Sequence, residues 1–172
     1  MEGRCTIIGF LKQKFLKNKY IIMHKLEVEL FVKGLKNGKD EFYFDSINDF
    51  KKLINDYPDS ELCDDALYNI GLCYFELKQF STAIETFEKV INYYPESMIS
   101  ILEGGHEFGR TAAKAYYGIV NCYLANGNIL KAESAVDYLD AYEDSYVTLD
   151  NENKTSFKKL CLDLINNFKN LK

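Results

Sequence analysis

Tryptophan is missing from this chain, proline and histidine occur twice each, and no two cysteines stand at CxxC spacing. Each shortage removes a class of protein. With prolines only at 58 and 95, long helices run without interruption. His24 and His106 lie far apart, outside HExxH or any other metal-ligand spacing, which excludes a zinc hydrolase. Neither G-x-x-x-x-G-K-[ST] nor G-x-G-x-x-G occurs, so nucleotide binding lacks its phosphate-cradling loop. No apolar run approaches the roughly 18 residues of a membrane-spanning helix. No apolar region precedes Cys5, and the stretch from Ile7 to Leu11 is soon broken by Lys12, Lys14, Lys17 and Lys19, so no signal peptide is expected.

The five cysteines (Cys5, Cys63, Cys73, Cys122, Cys161) are odd in number and scattered. Four fall in expected helices, where a free thiol behaves as a small buried hydrophobe. This favours a reducing compartment over a disulfide framework. A cytoplasmic protein is expected, with a periplasmic or membrane-associated one as the alternative if a targeting segment has been removed.

What the chain does have is aromatic area, in 13 Tyr and 12 Phe, enough to fill the core of a single domain of 172 residues. Charge is unevenly spread. Residues 1–39 hold nine Lys/Arg against three Asp/Glu, whereas residues 40–109 hold four against fifteen. A net charge of −5 argues against nucleic acid as a partner, because phosphate binding needs basic patches.

Helical spacing of apolar residues recurs along the chain. Ile8, Leu11, Phe15, Ile22, Leu26 and Leu30 form one stripe with lysines off it, a segment suited either to a membrane surface or to a solenoid's first helix. A second helix is expected from about Phe42 to Tyr57, ended by Pro58-Asp59-Ser60. Two more are expected between Glu61 and Ser97. A slide of 37 residues pairs Leu67 with Leu30, Gly71 with Gly34, Phe87 with Phe50 and INYYPES with INDYPDS. A slide of 49 pairs Ala66 with Ala115, Tyr68 with Tyr117, Cys73 with Cys122 and Ala83 with Ala132. The difference is a twelve-residue insertion near residues 98–112, with a bend at Gly104-Gly105 and an extra helical turn in MISILE. It is either part of a binding face or simple length drift. Thr148–Asn153 reads as a polar linker, and residues 154–171 as an amphipathic helix capping the last repeat. The pairs Asp64-Asp65 and Glu143-Asp144 read as solvated helix ends.

The stretch 61–97 resembles the tetratricopeptide repeat, in Leu67-x2-Ile70-Gly71-x2-Tyr74, Ala83-x3-Phe87 and Pro95. Residues 27–60 depart from that pattern at Lys33, Asn37 and Ser46, and residues 113–147 at Val120, Val136 and Asp144. The resemblance implies an all-α fold, a right-handed superhelical solenoid of about three helix-turn-helix repeats with N-terminal (8–26) and C-terminal capping helices. The yP-[DE]-S ending and 37-residue spacing are similar to a subgroup in bacterial envelope proteins, the outer-membrane assembly lipoprotein and the Tol-Pal coordinator among them. The resemblance further implies a concave groove lined by the first helix of each repeat. By position, that groove takes Phe31 and Leu35, then Tyr68, Leu72 and Phe75, then Lys114, Tyr117, Asn121 and Leu124. Phe31, Tyr68 and Tyr117 would form an aromatic row, unless a terminal helix fills the groove. Two Lys, an Arg and two Asn clamp a C-terminal carboxylate in some relatives, and only Asn69 and Lys114 match those places. The expected function is a non-catalytic adaptor binding a peptide or helix of another protein without cofactor or metal. A structural or assembly subunit, or a homo-oligomer, is the alternative. An acid–base cluster of His106, Glu103, Glu107 and Arg110 is the remaining enzymatic reading.

Overall fold

Apolar residues three and four apart fold this chain into paired helices. The computed structural model describes residues 24–103, 105–149 and 153–170. Most of the N-terminal segment 8–26, including its lysines before Lys25, lies outside these. The helices are α1 (24–39), α2 (Tyr43–Asp56), α3 (Cys63–Glu76), α4 (Phe80–Tyr93), α5 (Thr111–Ala125), α6 (Ile129–Val136) and α7 (Phe157–Asn170). Consecutive helices from α2 to α6 pack on one another, and α3 also meets α5. Helix α7 covers α5 and α6 with Phe157, Cys161 and Ile165, all buried, and turns Lys159 and Asp163 outward.

The 37- and 49-residue offsets reappear in the backbone. Within each pair the turn places one residue in the left-handed region, Glu41 (φ 65), Lys78 (φ 59) and Gly127 (φ 74). The next residue in each case then closes the same bond, from Phe42 N to Asn37 O (2.8 Å), Gln79 N to Tyr74 O (2.9 Å) and Asn128 N to Tyr123 O (2.8 Å).

Close helix crossings explain the glycines. A Cβ on Gly71 would stand 2.5 Å from the Phe87 ring, and one on Gly118 would stand 2.7 Å from it. Phe87, fully buried, is therefore wedged between α3 and α5. Gly34 meets Phe50 in the same way at 2.7 Å.

Three expectations change. The described ends of the polar linker lie in paired antiparallel strands, β2 (Tyr146–Leu149) and β3 (Asn153–Ser156), so the capping helix begins at Phe157 and not at 154. Strand β1 (Glu107–Phe108), from the insertion, adds to β2 in antiparallel register, Glu107 opposite Val147 and Phe108 opposite Tyr146. Alternation in Tyr146-Val147-Thr148-Leu149 carried this signal, but a polar flank and the short length hid it. The insertion also closes on itself, through a Met98–Arg110 bridge and an Ile99 N bond to Gly109 O (2.9 Å). Gly109 (φ 99) is required twice over, since a Cβ there would lie 2.3 Å from Ser145 Oγ. MISILE supplies a 3-10 turn, Ile101–Glu103, and Gly105 bends with φ 71. Third, Asp64 and Asp65 are buried, not solvated. Asp64 accepts from Thr111 Oγ1 at 2.5 Å and Asp65 from Ser100 N at 2.9 Å, so both acids fasten the insertion and α5 to the start of α3.

Candidate peptide-binding site

The first helices α1, α3 and α5 present the face on which the groove residues were placed, and the structure divides those residues into two groups. Phe31 is fully buried in edge contact with Phe50, ring centres 5.6 Å apart. Tyr68, 3% exposed, lies 5.3 Å from the Phe87 ring on one side and carries the Lys114 ammonium 4.4 Å above its ring on the other. Lys114, 5% exposed, pairs with Glu107 of β1 at 2.5 Å. Tyr117 is half-buried, with the Phe157 ring of α7 6.1 Å away. Each ring of the expected aromatic row thus packs against another ring of this chain. Phe31 and Tyr68 are core residues, because burial leaves them no face for a ligand. Leu124 is buried as well. Asn121 bonds back to Tyr117 O at 2.8 Å, and Phe75 rests on Phe80 with ring centres 5.5 Å apart.

The other group stays open. Leu35 and Leu72 are half-buried and meet in a cleft of about 290 Å³ between α1, α2 and α3. Lys39 and Glu76 supply opposite charges to it, and Asn69 and Tyr43 supply amide and phenol. Burial, then the Glu76 charge, push the Tyr43 phenol above its ordinary value, so it remains a hydroxyl donor at neutral pH. The cleft combines an apolar floor with a few polar groups.

Beside it lies a network that repeat-matching overlooked. Asp49, 7% exposed, accepts from Lys33 Nζ and Asn37 Nδ2, both at 2.7 Å, while Ser46 Oγ donates to Gly34 O at 2.8 Å. The departures at 33 and 37 share the Asp49 carboxylate of α2, and the departure at 46 bonds back to α1. Acid at Asp49 on an otherwise apolar face was the available signal.

The remaining candidates separate. His106 is exposed, and its backbone oxygen accepts from Thr148 N at 2.8 Å. Glu107 turns to Lys114, and Arg110 turns to Asp144 (3.3 Å), the Ala141 carbonyl and the Tyr142 ring. Among the described residues no group of His, Cys, Asp and Glu has the arrangement to hold a metal ion. Burial pushes the thiols of Cys63 to about 11 and of Cys122 and Cys161 to about 12, so they stay protonated and unreactive at neutral pH. Nor, among those residues, is any helix long and apolar enough to cross a membrane.

Residues 65–97 match the model of the tetratricopeptide repeat. No curated protein sequence matches the chain. Among solved structures, the chain is similar to the Hsp90 co-chaperone Cns1 from Saccharomyces cerevisiae (TM-score 0.58, 17% identity, covering 86% of this chain and 40% of that one). It is also similar to the TPR2AB domain of yeast Sti1 in complex with pHSP90 (TM-score 0.61, 16% identity, 86% and 47%). A third likeness is to the Yersinia enterocolitica type III secretion chaperone SycD with a peptide of the translocator YopD (TM-score 0.56, 15% identity, 82% and 90%). The chain thus spans less than half the length of the first two. At these identities the likeness defines the fold, an all-α tetratricopeptide-repeat solenoid. The envelope subgroup gains no support from them.

Proposed function

We propose that this chain is a non-catalytic interaction module that holds a peptide or helix of another protein in the cleft between α1 and α3. The observation that carries this reading is the partition of the groove face. Leu35 and Leu72 remain accessible over an apolar floor, while Phe31, Tyr68 and Lys114 are committed to their own chain. Sti1 and SycD, which share the fold, are each described in complex with another protein or its peptide. The four buried thiols, none in a disulfide, favour a reducing, cytoplasmic setting.

The test is selection of binders from a displayed peptide library on the wild-type chain. Leu72→Arg and Leu35→Glu should each weaken the selected peptides tenfold or more, with the helical circular dichroism spectrum retained. Binders indifferent to both substitutions overturn the assignment. A second reading, as an assembly or homo-oligomeric subunit, is favoured by Leu130 (77% exposed) on α6 and Tyr138 (62% exposed) in the 3-10 turn after it. Light scattering would then show an oligomer that Leu130→Glu dissolves.

A further inference from the structure

A second cavity, larger than the α1–α3 cleft, shares none of its lining residues. It opens at the edge of the solenoid, about 1010 Å³ in volume, where the start of α1, the 56–62 turn and the tip of the insertion come together. Its apolar surface comes from Val28, Tyr57, Pro58 and Leu62 on one side and from Ile101 and Leu102 on the other. The insertion therefore builds one wall. Ile101 is 82% exposed and Leu102 39%, so Ile101 is left largely uncovered by the described residues. Asp65 holds that wall in place through Ser100 N.

The rim selects the occupant. Glu27, Asp56, Asp59 and Glu61 all line the cavity. Glu27 pairs with His24 and Asp56 with Lys52, each at 2.6 Å. Asp59 and Glu61 are exposed and make no ion pair with the described residues. Among the described residues no lysine or arginine lines the cavity. An apolar cleft with an acidic rim attracts a segment bearing both apolar side chains and positive charge, and the potential repels an acidic one. A volume of this size accommodates several side chains at once.

We infer that this edge cleft is a second docking site, distinct from the α1–α3 cleft, and that it takes up a basic segment of a partner protein with apolar residues at helical spacing. Leucine or isoleucine side chains of the partner lie between Leu62 and Leu102, and its lysines or arginines face Asp59 and Glu61. The insertion is thereby a recognition element and not only a longer loop.

The probe is a fluorescent peptide carrying leucine every third or fourth residue and four lysines, measured by anisotropy on the full chain. Its counterpart with glutamate for lysine serves as the control peptide. The lysine peptide should bind at least tenfold more tightly than the glutamate one. Ile101→Asp with Leu102→Asp should lower its affinity tenfold or more, as should Asp59→Lys with Glu61→Lys. Glu85→Lys with Glu88→Lys, the same charge change elsewhere, should alter it less than twofold. These positions are exposed, except half-protected Leu102, so circular dichroism should not change. An equal loss in the Glu85/Glu88 variant would reduce the effect to net charge and overturn the site. A tenfold gain in the full chain when Lys12, Lys14, Lys17 and Lys19 are replaced by glutamate would identify the chain's own N-terminal segment as the occupant and overturn the partner assignment. Retained binding in Leu72→Arg separates this cleft from the α1–α3 cleft, so either can fail without the other.

Discussion

The first and third helix pairs both depart from the central one, and they do so by opposite chemistry. In α1 and α2 the glycine–phenylalanine crossing is kept, Gly34 on Phe50, and the polar substitutions Lys33, Asn37 and Ser46 are absorbed by hydrogen bonds to Asp49 and the Gly34 carbonyl. In α5 and α6 the crossing itself is rebuilt. Val120 replaces the glycine and Val136 the phenylalanine, and both are buried in the same core as Phe87. One large and one absent side chain become two of middling size, a volume-conserving exchange of the kind that cores tolerate. Degeneracy in a repeat is thus not always decay. It is paired substitution, in one case across a polar contact and in the other across a packing contact.

The exchange predicts its own failure. Val136→Phe alone should overpack the third crossing and lower stability by about 1–3 kcal/mol in urea denaturation. Adding Val120→Gly should recover much of that loss, with a coupling of about 0.5–3 kcal/mol in the double-mutant cycle. Strict additivity would mean that the two valines do not share the crossing. On the polar side, Asp49→Ala should cost about 1–2 kcal/mol, because it strips the acceptor from Lys33 and Asn37. Lys33→Ala should cost less, since its chain is 64% exposed. The smallest effect concerns the three turns. A Cβ at Gly127 would meet no atom, so Gly127→Ala should destabilise through φ alone, by about 1 kcal/mol. Lys78→Gly should stabilise by a few tenths of a kcal/mol, the relief of the left-handed strain being partly offset by unfolded-chain entropy. Melting temperatures moving in the same direction for both would break the equivalence of the turns.

Much of the helical frame was legible because it is local. The 3.6-residue period marks each helix, and the offsets of 37 and 49 predict which residues share a position. Leu35 and Leu72 followed from that same register. The sheet was not legible, since β1 and β2 are joined only through contacts between segments about 40 residues apart. Tyr68 and Lys114 stand at the expected positions but are inaccessible, Lys114 drawn to Glu107 of the insertion and Tyr68 held between Phe87 and Lys114. Register tells where a side chain sits on its own helix. It does not tell what a non-repeating segment places on top.

Phe87 gives the wedge between Gly71 and Gly118 a meaning for how the chain can be divided. The unit of the sequence pattern ends at about residue 97, yet the unit of packing does not. A cut at that joint would remove the glycine surface from one side of the ring and leave a phenylalanine half uncovered. Recombination or truncation at the repeat boundary therefore yields a fragment with an open seam. A half-step boundary, which carries α5 along with α3 and α4, keeps the seam closed. The module that can be copied in sequence and the module that can stand alone are out of phase by one helix.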